Sequence, residues 1–189
     1  MRKCCTGVRS VKDKGDSMNI VFLDVDGVLT YSNYKNNETA NIDIEKVRLL
    51  KEICDNSNAK VVISSSWRGS ESYTPKMYYV LTNILTDSGI DVVGNTPFLS
   101  TEFEDNGESK TVSFNDILNT KLKYGTGRAA EVQKWINDHG INNFVILDDE
   151  DWDWSDYGYE KNWIRPTWFE DGGLKSEHVD RAIKILNGE

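Results

Sequence analysis

Five short apolar runs organise this chain: IVFLDV (20–25), KVVIS (60–64), IDVV (90–93), FVILD (144–148) and WIR (163–165). They are nearly continuous rather than alternating, so both faces of each strand must be covered. That is the condition of parallel strands lying between helices. The intervals carry the apolar period of helices, with stripes at Ile44, Val47, Leu50 and Cys54, at Leu81, Ile84 and Leu85, at Val132, Trp135 and Ile136, and at Val179, Ala182, Ile183 and Leu186. Strand followed by helix, repeated, predicts an α/β fold with a mainly parallel central sheet and helices on both sides. A chain of 189 residues supports one ordinary core. Polar residues 1–17 are expected to form a flexible leader, and 18–189 a single domain.

Ligands of open α/β sheets collect beyond the carboxyl ends of the strands. There the sequence places Asp24 and Asp26 in VFLDVDGVLT, the serines Ser64, Ser65 and Ser66, and Asp148 and Asp149 in LDDEDWD. Two aspartates at one strand end also suit a turn, with Gly27 supplying unusual backbone angles. Two carboxylate clusters at one rim, however, repel unless a cation lies between them. Oxygen donors without histidine or cysteine favour a hard ion, most simply Mg²⁺. With that charge balanced, Asp24 is the first choice of nucleophile and Asp26 its partner in proton transfer.

Three serines at a strand end offer hydroxyl and backbone donors to phosphate, Ser65 first and Ser64 next. Arg68 adds a bidentate phosphate donor or an ordinary salt link. A cation facing the phosphoryl group is expected within TKLKYGTGRAAEVQKW (120–135). Arg128 there sits in the first turn of a helix, unfavourable with the helix dipole unless it faces an anion; Lys121, Lys123 and Lys134 are the alternatives. Gly125-x-Gly127-x-x-Ala130 imitates a dinucleotide fingerprint, but no convincing buried strand precedes it.

The formal charge of −9 argues against binding long duplex nucleic acid by phosphate neutralisation, and leaves room for a local positive patch. Three cysteines make no disulfide framework and fit a reducing, cytoplasmic compartment. No stretch has the length of apolar sequence needed to span a bilayer, so no membrane partner is expected.

Together FLDVDGVLT, VVISSSWR, GRAAEVQKW and VILDDEDWD resemble the haloacid-dehalogenase-like (HAD) phosphohydrolases, and most of all the capless HAD domain of Swiss Army Knife RNA repair proteins. The resemblance covers residues 19 to about 187. It implies a three-layer, Rossmann-like HAD fold without a large cap domain. It also implies Asp24 as the nucleophile that takes the phosphoryl group, and Asp26 as the acid/base that protonates the leaving oxygen and then activates water. Ser65 matches the small hydroxyl that contacts the transferred phosphate. Asp149 matches the metal carboxylate, Asp148 its ligand or supporting partner, and Asp153 a supporting acid, with the Asp26 carbonyl as a further Mg²⁺ ligand. Where the family usually has a lysine, Arg128 is best placed here.

The interval 30–59 holds one loop and one helix, so the site is expected to be open, as suits a terminal phosphate on a bulky molecule. Residues 99–112 look like an acidic loop or flap. Of six tryptophans, Trp152, Trp154, Trp163 and Trp168 fall in or after the acidic rim, and Trp152 or Trp154 is a candidate base platform. The expected function is a Mg²⁺-dependent phosphomonoesterase acting on the terminal phosphate of a nucleotide or short nucleic acid. The alternatives are a phosphatase of a small phosphorylated metabolite, a non-catalytic Mg²⁺- and phosphate-binding protein, and a receiver-like module.

Overall fold

The computed structural model describes residues 18–68, 75–99, 127–169 and 171–189. The 1–17 leader, the 99–112 loop beyond Leu99, Lys121, Lys123 and Gly125 lie outside them. Among the described residues five strands form one sheet: β1 (Asn19–Leu23), β2 (Ala59–Ile63), β3 (Val92–Asn95), β4 (Asn143–Leu147) and β5 (Trp163–Ile164). Their order is β3-β2-β1-β4-β5 and every pairing is parallel. Among the described residues three helices lie between strands in sequence, α1 (Ile44–Ser57), α2 (Pro75–Asp87) and α3 (Arg128–His139), and α4 (Ser176–Asn187) follows β5.

Alternation along the strands divides the core into two layers. Val21, Leu23, Val61, Ile63, Val145 and Leu147 pack with Val47, Leu50, Leu81, Leu85, Val179 and Leu186 from α1, α2 and α4. Ile20, Phe22, Val62, Phe144 and Ile146 face the other way, onto Val132, Trp135 and Ile136 of α3 and onto Trp154. A three-layer α/β/α domain results, as the apolar pattern requires. Cys54 belongs to the first layer, where burial pushes its thiol up to about 12 and keeps it an inert core residue.

β3 begins two residues later than the IDVV run predicts. The Ile90 amide donates to Leu85 O (2.9 Å) and so finishes the turn after α2, and pairing with β2 starts only at the Asp91 carbonyl, which accepts from Val61 N at 2.8 Å. A register shift between Val61 and Val62 absorbs the difference. No described helix is long and apolar enough to cross a membrane.

Candidate active site at the strand ends

The register fixes what the rim contains. Leu23 pairs with Ile63 on one side and Leu147 on the other, and Ile63 pairs with Asn95. The next residue of each strand therefore emerges at one height: Thr96, Ser64, Asp24 and Asp148. Backbone bonds hold them there, with Asp24 N on Leu147 O (2.9 Å), Ser64 N on Leu23 O (2.8 Å) and Thr96 N on Ile63 O (3.0 Å).

Asp24, Asp148 and Asp149 each bring a carboxylate oxygen within 4.8 Å of the other two. Burial pushes the Asp24 carboxyl above its ordinary value, against the opposing pull of Arg128 and hydrogen bonds that include one from Ser65. Burial and then the Asp24 charge raise Asp148 to about 8, and the same two causes raise Asp149 to about 6. Three acids that resist ionising together form a site in want of positive charge. Arg128 supplies part of it: its Nη1 lies 3.1 Å from Asp24 Oδ1 and 3.4 Å from Asp148 Oδ2, and donates to the Ser64 carbonyl. The remaining donor set, carboxylate oxygens alone, fits a small hard divalent cation.

Asp26 stands outside that cluster. Thr30 Oγ1 donates to its Oδ1 (3.0 Å) and the Trp67 indole Nε1 to its Oδ2 (2.9 Å), which fixes the carboxylate in the cavity lining. Gly27, between Asp26 and the core, has φ +72°, and a Cβ placed there would lie 2.1 Å from Asp149 Cγ and 2.6 Å from Asp149 Cβ. Glycine is thus demanded twice, by the turn and by the approach of the second carboxylate cluster.

The family described as the HAD domain in Swiss Army Knife RNA repair proteins matches residues 20–179. The chain belongs to that family. No curated protein and no solved structure matches it.

The serines of this HAD domain divide their roles. Ser65 is fully buried beside Asp24, and its Oγ accepts from Trp67 N at 3.3 Å. Ser64 is also buried, giving its carbonyl to Arg128 and accepting from Thr96 Oγ1 at 3.5 Å, whereas exposed Ser66 lines the cavity. Arg68 is not brought to the cavity. It donates to Ser65 O (2.6 Å) and Thr96 O (3.1 Å) and forms an ion pair with Glu131 of α3, its side chain 2% exposed. Burial lowers its pKa to about 10 despite the Glu131 charge. Lys134 pairs with Asp138 along α3 at 2.6 Å.

The cavity above the rim measures about 1050 Å³. Asp24, Asp26, Ser66, Arg128 and Asp149 form its floor, and Glu150, Trp152, Arg165, Pro166, Thr167, Trp168 and Phe169 stand around it. Trp152 spans the two parts, because its indole donates to Asp148 Oδ1 (3.1 Å) while the Arg128 guanidinium lies 5.2 Å from its ring centre. Trp154 is no base platform: it is completely buried in the second core layer, its indole bonded to Glu150 O. The short turn it opens needs an anchor under an irregular segment, and Trp154 supplies that anchor. Asp153 is exposed, in a left-handed conformation at the start of that turn, and stands outside the carboxylate cluster. Thr30, Trp67, Glu131 and Arg165 are the contributors that motif reading missed. Thr30 and Trp67 lie inside the quoted motifs, but nothing in the sequence aims them at Asp26.

Proposed function

We propose that this HAD domain is a Mg²⁺-dependent phosphomonoesterase working through an aspartyl-phosphate, on the terminal phosphate of a nucleotide or short nucleic acid in a cytoplasmic setting. One observation carries the reading: Asp24 lies in a three-carboxylate cluster with a guanidinium against it, while Asp26, two residues on, is held separately by Thr30 and Trp67. A nucleophile and an acid/base with distinct surroundings are what two-step phosphoryl transfer needs.

In the first step an Asp24 oxygen forms a bond to phosphorus as the bond to the leaving oxygen breaks, and Asp26 gives that oxygen its proton. In the second, Asp26 takes a proton from water, whose oxygen attacks phosphorus and returns Asp24 as a free carboxylate. Mg²⁺ held by Asp24, Asp148, Asp149 and the Asp26 carbonyl would supply positive charge against the phosphoryl oxygens. Arg128 balances charge at Asp24, and the buried Ser65 hydroxyl, hydrogen-bonded to Asp24, orients the nucleophile.

The test is phosphate release from a panel of nucleotides, oligonucleotides and sugar phosphates. Turnover is expected with Mg²⁺, is lost with chelator, and falls to background in Asp24→Asn. Metal-independent turnover, or an Asp24→Asn protein as active as the parent, contradicts the mechanism.

A further inference from the structure

One wall of the cavity plays no part in the chemistry at phosphorus. It runs from Arg165 to Phe169 and presents Trp168, 38% exposed, and Phe169, 75% exposed. Its backbone is nevertheless tightly held. Ser32 N donates to Trp168 O, Gly173 N to Thr167 O and Leu174 N to Val28 O, each at 2.8 Å. Gly172 packs so closely behind it that a Cβ would lie 2.1 Å from Thr167 O and 2.4 Å from Phe169 O. A fixed backbone that leaves two large rings in water, on the wall of a cavity, has the character of a binding surface.

Arg165 joins this wall to the carboxylate floor. Its Nε donates to the Asp149 carbonyl at 2.9 Å, and its guanidinium carbon lies 5.5 Å from the Trp163 ring centre. With Arg128 it makes two guanidinium groups in one cavity of a chain whose formal charge is −9. A second cation beside an aromatic wall matches a substrate with a second phosphate and flat rings. The volume of about 1050 Å³ lies just above the range of about 300–1,000 Å³ usual for small-molecule sites.

We infer that this wall is a nucleobase platform, and that the domain takes a single-stranded nucleic-acid end of at least two nucleotides. Its terminal phosphate lies at Asp24, the next backbone phosphate at Arg165, and the adjoining bases against Trp168 and Phe169. The inference rests on the phosphatase reading for the position of the terminal phosphate. A sugar phosphate leaves the rings uncovered, and a duplex keeps its base faces stacked on one another.

Two measurements on the full chain test it. The first is binding of a fluorescent tetranucleotide without a terminal phosphate, as RNA and as DNA, single-stranded and duplex. Trp168→Ala and Phe169→Ser are each expected to weaken single-strand binding at least about fivefold, with Trp168→Tyr restoring it. Arg165→Gln is expected to reduce the slope of log affinity against log salt by about one. The second is the ratio of kcat/KM for a tetranucleotide phosphorylated at its 3′ or 5′ end to that for ribose 5-phosphate. That ratio is expected to fall about tenfold or more in Phe169→Ser. Binding of either single strand supports the inference, and the stronger arm identifies the natural source. Duplex bound as well as single strand, unchanged binding in both aromatic variants, or ribose 5-phosphate turned over as well as the tetranucleotide overturns it. Strand binding through these residues without hydrolysis of any phosphate ester overturns the phosphatase reading and leaves the platform standing.

Discussion

Gly27 links the two carboxylate clusters by having no side chain. Asp26 and Gly27 turn the chain away from β1, and Asp149 moves into the space that any other residue would fill. Gly27→Ala forces either the left-handed turn or Asp149 to give way. The strain alone costs about 1–2 kcal/mol. Displacement of Asp149 is expected to lower kcat by more than tenfold, a change of about 1.4 kcal/mol or more in the barrier. Phosphate release and a thermal melt on the same protein separate the two effects. Full activity in Gly27→Ala would show that Asp149 is not needed where it stands.

At the scale of elements, α3 serves the rim twice. Its first residue, Arg128, reaches Asp24, and one turn later Glu131 reaches back to Arg68 and accepts from Leu99 N at 3.2 Å. The helix carrying the cation is thereby tied to the loop carrying the serines. Removing one partner of a buried pair strands the other, so Glu131→Ala is expected to cost about 3–5 kcal/mol in urea unfolding. The exposed Glu45–Arg48 pair is expected to give less than about 1 kcal/mol under the same substitution of Glu45. Equal losses from the two would contradict a structural role for the buried pair. α4 carries a pH-sensitive start: Lys175 N donates to His178 Nδ1 at 3.0 Å, and burial holds the His178 pKa below its ordinary value. A lowered native pKa means the unfolded chain binds the proton first. The cap is therefore intact above about 6.5 and is lost as pH falls through the lower native value. The gap in melting temperature between the parent protein and His178→Ala is expected to shrink between pH 8 and pH 5.5. A constant gap would place the cap elsewhere.

For the whole molecule, three acids gathered at one rim set how stability should respond to a bound cation. Burial and the Asp24 charge raise Asp148 and Asp149, so the fold carries an electrostatic penalty that a divalent cation bound there would relieve. At a hundredfold excess over its dissociation constant, Mg²⁺ is expected to add about 2.7 kcal/mol. At about 2–4 °C per kcal/mol for a domain of this size, the melting temperature rises by roughly 5–10 °C. Asp149→Asn is expected to abolish that rise while raising the metal-free melting temperature, a gain of stability at the expense of function. An undiminished Mg²⁺ shift in Asp149→Asn would remove this residue from the metal site.

The layering, and which polar groups gather at the rim, are readable from the apolar pattern alone. Continuous apolar runs ending in DVD, SSS and DD admit a parallel sheet and little else, and they bring carboxylates and hydroxyls to one edge because a parallel sheet aligns its carboxyl ends. Arg128 was legible for a local reason, since a cation in a first helical turn needs an anion to face. Which polar groups are spent on holding the site together depends on contacts between distant parts of the chain. Arg68 is drawn into the core by Glu131, 63 positions away in sequence, and Trp67 reaches Asp26 across 41. Trp154 and Trp168 look alike in an aromatic-rich segment, yet one is completely buried and the other stands at the cavity. Spacing along a chain records which residues share a helix face or a strand. It carries no record of which side of an irregular loop meets the core, because long-range packing and backbone hydrogen bonds fix that choice.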